Sequence, residues 1–178
     1  MSNKRHQMRL FVASPVVMDH YIAIRKDFEG IIEGKWVKEK NLHLTWVFLG
    51  DIEDIKPLIG QLNHISPLEN AIDISDLGCF GRPPKILYAK TQEQPFFHKA
   101  KEFASAGFKL DGFQPHITLC RIKKIHNHKA YNKMIRHYQG KILGSVMPQI
   151  FLYQSILDEK GPTYKRLFHG KTIKGQKF

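Results

Sequence analysis

The sequence predicts an α+β domain built by internal duplication, on three observations. Strand-like and helix-like stretches follow in a mixed order, β then α then several β, that recurs approximately in each half. The tetrad HLTW at 43–46 is echoed by HITL at 116–119, 73 positions later. No linker or low-complexity segment interrupts the 178 residues. That length suffices for one domain with a sizeable core, or for two small lobes sharing an interface.

Each element has its own signal. RLFVAS (9–14) reads as an opening strand closed by Pro15. Apolar residues at Met18, Tyr21, Ile22, Ile24 and Phe28 repeat with roughly helical period. Residues 35–37 are a short stretch able to pair as a strand. Residues 42–49 form a β-rich run that ends at Gly50. The acid-led segment 51–63 predicts a helix, with Pro57 an awkward member. Residues 71–80 and 85–90 read as two strands joined by the turn-forming GRPPK. A helix is expected over 94–108, stopped near Gly107, and a strand over 113–122. The remainder predicts a helix at 131–138, a strand region at 145–157 and a final strand at 163–170.

Composition narrows the function classes. An apolar fraction of 42% and 12 Phe fit a folded globular chain. No window approaches 18 consecutive apolar residues, which argues against a transmembrane helix and a membrane role. The N-terminal MSNKRHQMRLFVASP is basic, but its apolar run is too short for a signal peptide, so the expected compartment is cytoplasmic. Two cysteines, Cys79 and Cys120, without a C-x-x-C pair argue against a disulfide framework or a thiolate zinc site. With 28 Lys and Arg against 16 Asp and Glu, the formal charge is +12. Such an excess favours polyanionic partners, nucleic acid above all, although the cations are spread along the chain.

On a strand, residues i and i+2 share a face. His43 and Thr45 therefore project together, with Leu42, Leu44 and Trp46 toward the core. His116 and Thr118 repeat this over Ile117 and Leu119. Two such strands facing a cleft would present two imidazoles and two hydroxyls. Histidines titrate near neutral pH and can serve as general acid and general base, while threonine hydroxyls can donate to phosphoryl oxygens. A His pair can also bind zinc. A catalytic zinc needs a third protein ligand, however, and no Asp, Glu or Cys shares those faces.

The same residues carry a resemblance. The chain is similar to the 2H phosphoesterase superfamily, specifically the RNA 2′,3′-cyclic phosphodiesterases also described as bacterial 2′-5′ RNA ligases. The two H-x-[ST]-x motifs are His43-Leu44-Thr45-Trp46 and His116-Ile117-Thr118-Leu119. MRLFVA (8–13), NLHLTWVFLG (41–50), GCFGRPPKILYA (78–89), FQPHITLCRIK (113–123) and LYQSILDEKGPTYKRL (152–167) extend it over nearly the whole chain.

The resemblance implies a bilobal fold with two antiparallel sheets facing a central cleft, helices on the outer faces, and pseudo-twofold symmetry. It implies one two-lobed domain over 1–178, with residues 1–7 a flexible basic extension. The implied reaction is hydrolysis of a terminal ribose 2′,3′-cyclic phosphate to a 2′-phosphate, reversible toward 2′-5′ ligation. His116 would act as base on water and His43 would protonate the departing 3′ oxygen. Thr45 and Thr118 would hold the non-bridging oxygens, and Arg121 would offset the charge. Strand alternation alone points Arg121 away from the His116 face. No metal, cofactor or protein partner is implied, and a monomer is expected. A non-catalytic RNA-binding module and a phosphodiesterase for a small cyclic or 2′-5′ nucleotide are the competing readings. Phe11 and Tyr153 could stack on a base, and Arg82 and Lys85 could meet an RNA backbone. Cys120 lacks a general base of its own. His126-Asn127-His128 lacks a nuclease context.

Overall fold

The computed structural model describes residues 7–92 and 94–169. Residues 1–6 of the expected extension and Gly170 of the expected last strand lie outside the described residues. The first half runs β1 (Met8–Val17), α1 (Tyr21–Asp27), β2 (Ile32–Trp36), a 3₁₀ turn (Glu39–Asn41), β3 (His43–Ile52) and α2 (Lys56–Leu62). It continues with β4 (Ile72–Phe80), β5 (Ile86–Thr91), α3 (Gln94–Ser105) and β6 (His116–Ile125). The chain then forms α4 (His128–His137), β7 (Ile142–Val146), β8 (Phe151–Asp158) and β9 (Gly161–His169).

Two antiparallel sheets result, joined through β1. One has the order β3-β1-β8-β9 and the other β2-β6-β5-β4-β7, with β7 pairing to the end of β1. Residues 8–15 of β1 pair with β3, whereas Val16 and Val17 pair with Val146 and Ser145 of β7. Pro15 therefore does not close the strand. It stands opposite His43, and its carbonyl accepts from the Met147 N–H at 2.8 Å. Proline's missing donor is harmless where a strand changes partners.

Other boundaries move for equally local reasons. The expected helix at 51–63 begins only at Lys56, because Asp51 and Ile52 remain paired with Arg9 and Met8. Gly50, at φ 76°, lets the ladder continue past an irregularity at Leu49. Pro57 lies in the first turn of α2, where its absent N–H has no helical acceptor anyway. The region 145–157 splits into two strands, its loop fixed by the Leu68 N–H donating to the Pro148 carbonyl at 2.9 Å. Asn127 starts α4 three residues earlier than the periodicity predicts, its side chain accepting from the Ala130 N–H at 2.9 Å.

The helices cover the faces turned away from the two tetrads. Trp46 packs between Phe96 and Phe103 of α3 and Phe113, with ring centroids 5.3 to 5.5 Å apart. Its indole N–H donates to the buried Ser14 hydroxyl at 2.9 Å. Behind the second sheet, Phe28 meets Tyr131 of α4 at 5.8 Å, and the buried Tyr21 hydroxyl donates to the carbonyls of Val37 and Leu119. Full burial of each such ring contributes ~1.5–3 kcal/mol. The apolar side of both tetrads is thus clamped from behind.

Candidate active site

β3 and β6 carry their buried, half-buried and exposed positions in the same order over all ten residues. Leu44 and Ile117 are fully buried, and His43, Thr45, His116 and Thr118 are half-buried on the opposite faces. Each strand then breaks its alternation at the same place. Val12 pairs with Val47 and Ala13 with Thr45, which leaves Trp46 as an extra residue. Leu87 pairs with Cys120 and Tyr88 with Thr118, which leaves Leu119 extra. A one-residue bulge flips the parity of every later side chain. Trp46 with Val47, and Leu119 with Cys120, are consequently buried as consecutive pairs. Phe48 and Arg121 return to the faces that carry the imidazoles, and simple alternation mislocated Arg121 for this reason.

Both imidazoles are held identically. His43 Nδ1 lies 2.7 Å from the Asn41 carbonyl, and His116 Nδ1 lies 2.7 Å from the Gln114 carbonyl. A carbonyl only accepts, so in each ring the Nδ1 proton is donated inward and Nε2 is left for chemistry. Beneath His43 sits a ring stack. Phe11 is 5.1 Å from the imidazole and 5.3 Å from Tyr153, and Tyr164 stands edge-on to His43 at 5.2 Å. Burial lowers the pKa of His43, and the charge of His116 lowers it further, against an opposing pull from the Asn41 carbonyl. Burial raises the pKa of Tyr164, and the charge of Arg121 on the second sheet opposes that rise.

His116 has its own aromatic surround, with Phe80 edge-on at 4.9 Å and Tyr88 at 5.6 Å. Gly78 leaves room for that ring: a Cβ there would lie 2.7 Å from Tyr88, whose side chain would have to shift. Phe11 and Tyr153 are only 4% and 7% exposed, so they form the floor of the His43 site rather than an open base platform. The open aromatic is Phe48, 77% exposed and 6.2 Å from Phe11. Cys120 is fully buried, and burial pushes its thiol up to about 11, far from thiolate reactivity. His126 is 3.7 Å from Glu33 and Asn127 caps α4, which accounts for the His126-Asn127-His128 letters.

Three residues were not picked out by sequence reasoning. Asn41 is buried, its side chain donates to the Pro162 carbonyl of β9 at 2.8 Å, and its own carbonyl orients His43. Tyr164 packs on His43 from β9. Phe48 depends on the bulge. Asn41 alone left a trace, since both His residues have an amide residue two positions earlier, Asn41 and Gln114. Among the described residues, no three His, Cys, Asp or Glu side chains come together in a metal-binding group. No described helix is long and apolar enough to cross a membrane.

Two duplicated strands thus each present an imidazole and a hydroxyl, with each Nδ1 tied to a carbonyl two residues upstream. The profile of the family described as "LigT like Phosphoesterase" matches residues 12–88, and the chain belongs to this family. It is 32% identical over 157 residues to the RNA 2′,3′-cyclic phosphodiesterase of Aquifex aeolicus, covering 79% of this chain and 83% of that one. It is 30% identical over 177 residues to the protein of the same name from Archaeoglobus fulgidus, covering 90% and 98%. The crystal structure of E. coli LigT complexed with NADP+ superposes with a TM-score of 0.67 at 22% identity, over 92% of this chain and 97% of that one.

Proposed function

We propose that the chain hydrolyses the 2′,3′-cyclic phosphate at an RNA end to a 2′-phosphomonoester. The observation that carries the reading is the pair of imidazoles, each tied through Nδ1 to a carbonyl two residues upstream. His116 Nε2 takes a proton from water as the water oxygen bonds to phosphorus. The bond from phosphorus to the 3′ oxygen breaks, and that oxygen takes the proton from His43 Nε2. Burial favours the neutral imidazole at His43, so the anionic phosphodiester must hold the acid's proton in the complex. Thr45 and Thr118 donate to the non-bridging oxygens, and Arg121 meets the remaining charge. Acid, base and charge stabilisation all come from side chains, so the reaction needs no metal. With a 5′-hydroxyl in place of water, the same displacement forms a 2′-5′ linkage as the bond to the 3′ oxygen breaks, and its reversal cleaves that linkage back to the cyclic phosphate.

The test is hydrolysis of 2′,3′-cyclic mononucleotides and of a cyclic-phosphate-ended RNA in EDTA, with the product's phosphate position identified. A 2′-phosphate formed at an undiminished rate is expected. Activity lost to the chelator and restored by zinc or manganese would refute the two-imidazole chemistry, and binding without turnover would make the chain an RNA-binding module.

A further inference from the structure

The duplication that is so regular in geometry is lopsided in charge. Residues 43–63, from the first tetrad through α2, hold one Lys and three acidic residues, a net −2. The equivalent residues 116–136, from the second tetrad into α4, hold six Lys and Arg and no acidic residue, a net +6. The acid-free stretch extends from 112 to 157, between Asp111 and Asp158. The cations of the whole chain are spread out, but the carboxylates are not.

α4 gathers this charge on its open side. Tyr131 and Tyr138 are buried, and Met134 and Ile135 pack on the core, whereas Lys129, Lys133, Arg136 and His137 are exposed. Spacings of three and four place them on one helix face, in rungs about 6 Å apart. Lys141 follows just beyond, its ammonium 2.9 Å from His137. The nearby carboxylates are engaged elsewhere. Asp27 accepts from the Tyr138 hydroxyl, Glu33 pairs with Lys123 at 2.8 Å, and Asp76 accepts from the Gly140 N–H. Among the described residues, Lys129, Lys133 and Arg136 have no acidic partner. The first turn of α4 has no acidic residue and carries Lys129, against the helix dipole. The dipole favours Arg136 and His137 in the last turn, but helix stability does not explain Lys129 and Lys133, which add like charges three and four residues from them and from each other.

We infer that the outer face of α4 is a second RNA contact, holding phosphates of the substrate's body while the cyclic end occupies the cleft. β6 links the two in the chain, with Arg121 returned by the bulge at Leu119 to the face that carries His116, and the exposed Lys124 leading to the helix. An RNA backbone fits better than other polyanions. The apolar side of α4 is committed to the core and leaves nothing to insert into a membrane surface. The outer face lacks the aromatic anchors expected of a protein interface. The inference rests on reading the cleft as an RNA-end site.

The test is the triple variant K129Q/K133Q/R136Q, with Lys56→Gln on α2 as the control. A 2′,3′-cyclic mononucleotide reads the cleft alone, and a cyclic-phosphate-ended RNA of about 40 nucleotides reads both surfaces. The triple variant should keep kcat/KM on the mononucleotide within twofold, and KM on the long RNA should rise about tenfold. Its affinity for a 2′-phosphate-ended RNA should show a salt slope shallower by about two, from two to three lost phosphate contacts. The control should match the native chain. Unchanged KM and slope on the long RNA would overturn the inference, as would equal losses on both substrates or a defect confined to binding anionic vesicles. A native chain inactive on every cyclic phosphate would fail the cleft reading instead, while the product-RNA binding arm would still decide the role of α4.

Discussion

Superimposing the duplicated strands in register sorts their residues into two kinds. His43 and His116, Thr45 and Thr118, and the bulged Trp46 and Leu119 correspond in position, burial and consequence. Five residues beyond each histidine, correspondence in place hides a difference in chemistry, because Phe48 is apolar where Arg121 is cationic. The surroundings diverge likewise, since Tyr164 comes to His43 from a different strand while Tyr88 comes to His116 from its neighbour. A duplicated fold fixes where side chains stand. What they offer a substrate is free to differ, so a symmetric scaffold can bind an asymmetric RNA end in one orientation.

The symmetric part can be broken outright. His43→Ala and His116→Ala should each lower kcat by roughly 10²–10⁴, and the double variant should be little worse than either. Near-full activity in either single variant would end the two-histidine scheme. The two roles separate on a substrate whose leaving group is a 4-nitrophenolate, which needs no proton. His43→Ala should recover most of its rate there and His116→Ala should not; the reverse pattern would exchange acid and base. The native pH profile should be a bell, because one ring must be neutral and the other protonated.

The asymmetric pair gives the next test. Phe48→Ala should weaken affinity for a 2′-phosphate-ended RNA by ~1–3 kcal/mol without changing its salt slope, as expected of a stacking surface. Arg121→Ala should instead flatten the slope by about one contact, with Arg121→Lys keeping most of it. If both variants behave alike, position 48/121 carries no division of labour.

Orientation of His43 should matter less than its presence. Asn41→Ala frees the loop from β9 and should reduce kcat by about tenfold, with KM nearly unchanged. An equal loss in thermal stability and none in kcat would make Asn41 a purely structural tie. The smallest effect concerns stability. The folded pKa of His43 lies below its unfolded value near 6.5, so the unfolded chain binds the extra proton. That contribution is complete above pH 6.5 and is lost as pH falls through the folded pKa. His43→Gln should therefore flatten the acid side of the Tm profile by a small amount, visible when the two curves are overlaid.

Much of this site was legible in the sequence because a period of two is explicit in letters. HLTW and HITL place an imidazole and a hydroxyl together whatever follows. The bulges were not legible, since Trp46 and Leu119 are ordinary strand residues with no glycine or proline to mark them. The passage of β1 through Pro15 was hidden because the punctuation is real but falls where one sheet hands the strand to another. The 51–63 helix was misplaced because Asp51 resembles a helix start, whereas Gly50 at positive φ keeps the ladder running. Asn41 and Tyr164 escaped because their contacts span 121 residues between the 3₁₀ turn and β9, a distance that local patterns do not encode.

That last contact has a bearing on how the protein is made. The Asn41 amide finds its acceptor at Pro162, and Tyr164 reaches His43 from the same strand. On the ribosome, both histidines emerge well before β9 does, and β1 must wait for β8 to fill its second edge. A nascent chain therefore holds the two tetrads without these contacts until β9 has been made. Fragments stalled before the β8–β9 hairpin would carry both tetrads but lack the contacts that hold Asn41 and pack on His43.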